Sequence, residues 1–227
     1  MRHAALAQVL HLRALESRCL SILLFLSIQA GDDDERSRRA TRGIGAGTSG
    51  IVAEDERKLV SILFADVKES MVLVASRDPE DARKLLDPII ELMMEATHYY
   101  GGTVNQVMGD GIMALFGAPI AHEDHAVRAC CAALKMQESM HRQSEIFLRT
   151  YGAVPRVRIG INSGEVVVRT LANDPRQDYS AVGQTTHVAA RMEQLADPGA
   201  ILLSSTTLNL ANGLIETQFA GPFTSRD

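Results

Sequence analysis

One stretch constrains the fold more than any other: Thr103-Val-Asn-Gln-Val-Met-Gly-Asp-Gly-Ile-Met-Ala-Leu-Phe-Gly117. Two short runs suited to strands flank Gly109-Asp110-Gly111, and a Gly-Asp-Gly between apolar strands reads as a tight hairpin. The turn puts one carboxylate, Asp110, at the end of a rigid element. A second acid closes another apolar run, Leu59-Val-Ser-Ile-Leu-Phe-Ala-Asp66. The span from Lys58 to Val67 is nearly continuous in apolar residues, as in a central strand covered on both faces. Two strand-terminal aspartates of this kind are a candidate pair for holding metal ions at one point.

The chain has 227 residues, 46% hydrophobic and 22% charged, which is enough for one good-sized domain and an appendage. A net charge of −5 and the absence of Trp argue against a nucleic-acid binder, which needs a basic surface or stacking platforms. The three cysteines, Cys19, Cys130 and Cys131, do not make a disulfide framework. They suit a reducing, cytoplasmic setting.

Residues 1–56 read as an N-terminal extension, residues 57–223 as the globular domain and 224–227 as a tail. The apolar run Cys19 to Ala30 is shorter than the roughly twenty residues of a membrane span. It is open to reading as a short helix, an anchor or a mis-assigned start, with no membrane association expected. The charged, Gly-rich segment from Asp32 to Gly50 is expected to be a disordered linker. Its Gly43-x-Gly-x-Gly47 lacks the strand and lysine of a phosphate loop.

After Asp66, Lys68-Glu69-Ser70 begins a turn into a helix, whose first amides would form an anion site beside the aspartates. Asp78-Pro-Glu-Asp81 starts a second helix, with Leu85, Ile89, Leu92, Met93 and Ala96 at helical spacing. A long helix is expected from near His122, with Ala126, Ala129, Cys130, Ala133, Leu134 and Met140 on its inner stripe. His122-Glu-Asp-His125 reads as helix-start chemistry and not as a metal cluster. Val157 to Asn162 reads as a strand, Ser163-Gly164 as a turn, and Glu165 to Thr170 as a strand pairing back. A short strand at Tyr179–Val182, a helix from Gln184 to Leu195, a strand after Pro198-Gly199, a short helix from Thr206 and a last strand follow. Few strands with long helices suit an α+β sandwich with a split β-α-β core, mainly antiparallel.

Four words occur in order: Phe64-Ala-Asp-Val67, Gly109-Asp-Gly-Ile-Met-Ala-Leu-Phe116, Arg158-Ile-Gly-Ile-Asn-Ser-Gly164 and Tyr179-Ser-Ala-Val-Gly-Gln-Thr-Thr-His-Val-Ala-Ala-Arg191. Together they resemble the class III adenylate/guanylate cyclase catalytic domain of bacterial type, from about Arg57 to about Pro222. The resemblance implies a ferredoxin-like fold acting as a head-to-tail homodimer with active sites at the interface. It implies ATP (or GTP) as substrate, cyclised to a 3′,5′-cyclic nucleotide with release of pyrophosphate. Asp66 and Asp110, with the carbonyl of Val67, match the ligands of two Mg²⁺ or Mn²⁺ ions. Arg191 matches the arginine that meets the triphosphate, and Arg158 a second phosphate-binding arginine.

This sequence departs from the family at three positions. The base-reading lysine falls on Gln106, whose amide donates and accepts but carries no charge. The second base-reading position falls on Ser180. The asparagine that stabilises the transition state falls on His187. Removing one such donor typically costs about 10²–10³ in rate. Three outcomes therefore stand open: an adenylate cyclase, a guanylate cyclase, or a nucleotide-binding regulator without turnover.

Overall fold

The structure, a computed structural model, describes residues 5–10, 55–68, 70, 75, 77–169, 180–211 and 213–223. The apolar run Cys19 to Ala30, the linker and the helix expected after Ser70 lie outside the described residues.

Strands β1 (Ala5–Leu10), β2 (Asp55–Val67), β3 (Thr103–Met108), β4 (Gly111–Phe116), β5 (Val157–Arg169), β7 (Ile201–Ser204) and β8 (Thr217–Phe223) run in the order β3-β4-β2-β5-β7-β1-β8. A short β6 (Ser180–Val182) pairs with β5 off this path. Every pairing is antiparallel except β5 with β7. The helices among the described residues are α1 (Pro79–Tyr99), α2 (His125–Tyr151), α3 (Gln184–Leu195) and α4 (Ser205–Leu210). This is the α+β arrangement anticipated, a mainly antiparallel sheet flanked by helices. The β1 strand falls in the stretch read from the sequence as an extension; it lies between β7 and β8.

The apolar run of β2 explains its place at the centre. Val60, Ile62, Leu63 and Ala65 are at most 1% exposed because helices cover both faces. One face of β2, with Val60, Ile62 and Phe64, packs with Met113, Leu115, Val166 and Ala189 of α3. The opposite face carries Ser61, whose hydroxyl meets His125 Nδ1 at 2.8 Å, at the start of α2.

The sequence signals for α1 operate as expected. Pro79 occupies the first turn with Glu80 and Asp81, Gly101 follows the helix with φ +73°, and Leu85, Ile89, Met93 and Ala96 are buried. The helix runs on through Pro88. In α2 the stripe of Ala126, Ala129, Cys130 and Ala133 is buried, allowing close approach to its neighbours. The chemistry at its start differs from simple capping. Asp124 is the N-cap residue, but its carboxylate makes a 2.7 Å ion pair with Arg128 and caps no amide.

One reading is overturned. Ser163-Gly164 is not a turn: β5 is one strand that pairs with β2 along its length, from Val67↔Val157 to Asp55↔Arg169. Tertiary partners override the local turn preference of Ser-Gly. Ser163 Oγ is buried, 2.6 Å from Ser61 Oγ and 3.0 Å from Thr207 Oγ1. A Cβ on Gly164 would lie 2.7 Å from Thr185 Oγ1 at the start of α3, so that side chain would have to shift.

Candidate active site

Asp66 is the penultimate residue of β2 and the cross-strand partner of both Gly111 on β4 and Arg158 on β5. It therefore stands where three strands meet. The Gly109-Asp110 hairpin forms as expected, with Met108 opposite Gly111 and Gly109 at φ +64°, a conformation that glycine adopts freely. Gly111 lies so close to β2 that a Cβ there would sit 2.6 Å from the carbonyl of Ala65 and 3.2 Å from Asp66 Oδ1. The hairpin is thus pressed against Asp66, and Asp110 comes within hydrogen-bonding reach of it. Ser70 Oγ donates to Asp110 Oδ2, fixing that carboxylate from the segment after β2.

The pairing of two acids is electrostatically unfavourable. Burial, and after it the neighbouring Asp110, push the Asp66 carboxyl above the usual aspartate range, while Arg158 pulls it back. Arg158 donates from Nη2 at 2.8 Å and from Nε at 3.2 Å to Asp66 Oδ2. Its Nε is also 2.5 Å from Glu193 Oε1 on α3. That second contact is an ion pair without hydrogen-bond alignment, because the N–H points at Asp66 and Glu193 Oε1 accepts no bond. Glu193 is 7% exposed, and chiefly burial raises its carboxyl to about 7 against the pull of Arg158.

Asp66, Arg158 and Glu193 line a cleft of about 250 Å³, walled by Phe64, Met108 and Gly111. Two carboxylates beside a guanidinium, open to a cleft, can take up cations and an anionic ligand together. The donor set also passes a chemical test for a divalent metal. Carboxylate oxygens are hard ligands, and a cation between Asp66 and Asp110 would relieve the repulsion that raises Asp66.

The other sequence-predicted residues lie elsewhere. Lys68 is beside the site, but its amide donates to the Arg156 carbonyl at 2.8 Å and is not available to an anion. Val67 donates its own amide to the Asp110 carbonyl at 3.2 Å, with its side chain in the core. Glu69 lies outside the described residues. Gln106 on β3 is exposed, as are His187 and Arg191 on α3, and none of the three lines the cleft. Arg191 Nη1 donates to Gln194 Oε1 on its own helix, at 3.3 Å. Ser180 opens β6 opposite Arg169; its side chain lies outside the described residues. Among the described residues no three His, Cys, Asp or Glu side chains cluster as a metal site, so His122-Glu-Asp-His125 forms none. Glu193 was not singled out in the sequence. Its signal is a carboxylate at helical spacing from Ala189, on the buried stripe of α3.

Comparison with known proteins bears on this geometry directly. The adenylate and guanylate cyclase catalytic domain family matches residues 52–226, and the chain belongs to that family. Adenylate cyclase 1 of Rhizobium meliloti (strain 1021) is 31% identical over 150 residues, covering 66% of this chain and 23% of that protein. The chain thus corresponds to about a quarter of the length of that relative. Among solved structures, the guanylyl cyclase Cya2 is 28% identical with a TM-score of 0.66, covering 76% of this chain and 96% of that one. The adenylyl cyclase CyaB from P. aeruginosa is 29% identical with a TM-score of 0.64, covering 69% and 82%.

Proposed function

We propose that the chain cyclises a nucleoside triphosphate, ATP to 3′,5′-cyclic AMP and pyrophosphate, as a cytoplasmic homodimer using two Mg²⁺ or Mn²⁺ ions. The observation that supports this reading most is the placement of Asp66, which lines the cleft with Arg158 and has Asp110 within reach behind it. No described helix is long and apolar enough to cross a membrane.

In this reading Asp66 and Asp110, with the carbonyl of Val67, hold the metals. Bound there, metal ions lower the pKa of the ribose 3′-hydroxyl and neutralise phosphate charge. The 3′-oxygen forms a bond to the α-phosphorus, the bond from that phosphorus to the pyrophosphate oxygen breaks, and the hydroxyl proton leaves to solvent. Arg158 offers its planar donor fork to the triphosphate. Ser70 orients Asp110, and the amides of Glu69 and Ser70 are the remaining backbone candidates for phosphate contact, the Lys68 amide being taken by Arg156. Gln106, Ser180, His187 and Arg191 act from a second copy of the chain: Gln106 and Ser180 at the base edge, His187 and Arg191 at the phosphates. Gln106, His187 and Arg191 are exposed and are not part of the chain's own cleft lining, which favours this division.

A second reading is favoured by Gln106 and His187, which stand where the family has lysine and asparagine. In it the domain binds nucleotide and metal and regulates a partner without turnover. Gln106 also admits GTP, because an amide both donates and accepts. Incubation of purified protein with ATP or GTP and Mn²⁺, followed by chromatographic detection of the cyclic product, separates these readings. Cyclic AMP as the main product supports the lead reading and cyclic GMP the guanylate one. Metal-dependent binding of either nucleotide with no cyclic product sinks both catalytic readings.

A further inference from the structure

Glu193 has no role in the reading above, yet it is a buried carboxyl at the cleft. It sits on α3, its side chain 10% exposed, with Oε1 against the Arg158 guanidinium and without an aligned donor. The charged form of a carboxyl so placed, with an unused acceptor, is costly unless a cation turns toward it. Arg158 is that cation. Its Nε and Nη2 hydrogens go to Asp66 Oδ2, and Nη1 lies 3.5 Å from the Gln194 carbonyl.

With a divalent cation held by Asp66, that carboxylate would no longer be free to accept from Arg158. What then holds Arg158 in the cleft is Glu193, whose Oε1 is already 2.5 Å from Nε. Gly160, two residues along the same strand face, fixes this distance. A Cβ there would meet the Glu193 amide nitrogen at 2.1 Å, so the α3 backbone lies directly on β5. We propose that Glu193 is the positioning residue for Arg158: it takes over the guanidinium from Asp66 when metal binds and presents it to the triphosphate. Glu193 is not itself in a cluster of three metal-competent side chains among the described residues. This inference rests on the proposed metal and phosphate roles of Asp66 and Arg158, but not on turnover.

The test is a double-mutant cycle on binding of MgATP, read by calorimetry with wild type, Glu193→Gln, Arg158→Ala and the double variant. Thermal unfolding of each variant checks that it folds, and Glu193→Ala serves as a second variant should the glutamine fail. Glu193→Gln is expected to weaken MgATP binding by about tenfold in the wild-type background, the worth of a charge-assisted contact. In the Arg158→Ala background the same change is expected to have less than a twofold effect, because the residue it positions is gone. Equal weakening in both backgrounds, or none in either, overturns the proposal. Product formation in the same samples reports separately on the cyclase reading: a coupled cycle without cyclic product leaves Glu193 in its role and removes the catalysis. Wild type that does not bind MgATP overturns both, and an intact cyclase with an additive cycle removes only the role of Glu193.

Discussion

Replacing Gly160 by alanine tests how the cleft is held together. Gly160 is on β5, on the face that carries Arg158, and α3 rests on it. An alanine Cβ would lie 2.1 Å from the Glu193 amide nitrogen, 2.4 Å from the Ala189 carbonyl oxygen and 2.7 Å from Glu193 Cα. All three are backbone atoms, so no rotamer change relieves the clash, and α3 must move. Reaching an ordinary contact of 3.4 Å from 2.1 Å takes a shift of about 1.3 Å. Overpacking of this kind costs about 1–3 kcal/mol. For a domain of this size each kcal/mol lowers Tm by about 2–4 °C, so a fall of several degrees is expected. The same shift carries Glu193 away from Arg158 and displaces His187 and Arg191. A misplacement near 1 Å costs about 10²-fold in rate where geometry matters. The assays are thermal unfolding and cyclic-product formation, with Gly183→Ala as control at the other end of α3. There the nearest atom to a new Cβ is the Glu165 carbonyl oxygen at 3.8 Å, and Tm is expected to change little. A Gly160→Ala protein with wild-type Tm refutes the packing argument whether or not the enzyme turns over.

Asp66→Asn and Asp110→Asn are each expected to reduce Mn²⁺-dependent product formation by at least about 10²-fold; wild-type rates in either would remove that residue from the metal site. Mixing Asp66→Asn with Arg191→Ala protein is expected to restore activity to about a quarter of wild type, since half the random dimers then contain one intact site. Inactivity of the mixture, with both variants dimeric, counts against shared sites. Burial holds the His125 imidazole below its ordinary value, so the unfolded chain binds its proton more readily and the stabilisation is complete only above about pH 6.5. Urea unfolding is therefore expected to lose stability as pH falls below about 6.5, by up to about 1.4 kcal/mol per unit. His125→Gln should flatten that part of the profile, and an unchanged slope would exclude His125 as its source. In metal-free protein the Glu193 carboxyl is expected to titrate near 7 by carbon-13 NMR, and higher in Arg158→Ala because Arg158 lowers it; a midpoint near 4.5 would contradict its burial.

Much of this fold is legible because single elements carry their own instructions. The unbroken apolar run of β2 announces a central strand, and Gly-Asp-Gly announces a hairpin. The boundaries of α3, Gln184 and Leu195, follow from the glycine before it and the apolar spacing within it. What the sequence hides depends on partners distant in the chain. Ser163-Gly164 has the composition of a turn, yet Ser61 and Thr207, far away in sequence, accept it as part of a strand. Ala5–Leu10 has no strand signal of its own; β7 and β8 supply its pairing. At the site, Asp66 and Asp110 are visible as strand-terminal acids. Their pairing with Arg158 is not, because it depends on the register Asp66↔Arg158.

The geometry of α3 explains why the remaining residues proposed for the site stand apart from the chain's own cleft. Ala189, Met192 and Glu193 point inward at helical spacing and are buried, and Glu193 reaches the cleft. His187 and Arg191 are four residues apart, hence on one common face, and that face is exposed. One helix therefore contributes its inner face to the chain's own carboxylate cluster and offers its outer face elsewhere. Gln106 follows the same division on the hairpin: exposed on β3 while Asp110, four residues on, turns inward to Asp66. The hairpin and α3 thus each carry polar groups directed away from the acid cluster. In a head-to-tail pair, such elements bring their outward groups to the partner's cleft without either chain refolding. The rigid seat of α3 on Gly160 and the hairpin's seat on Asp66 would then set the geometry of both sites together.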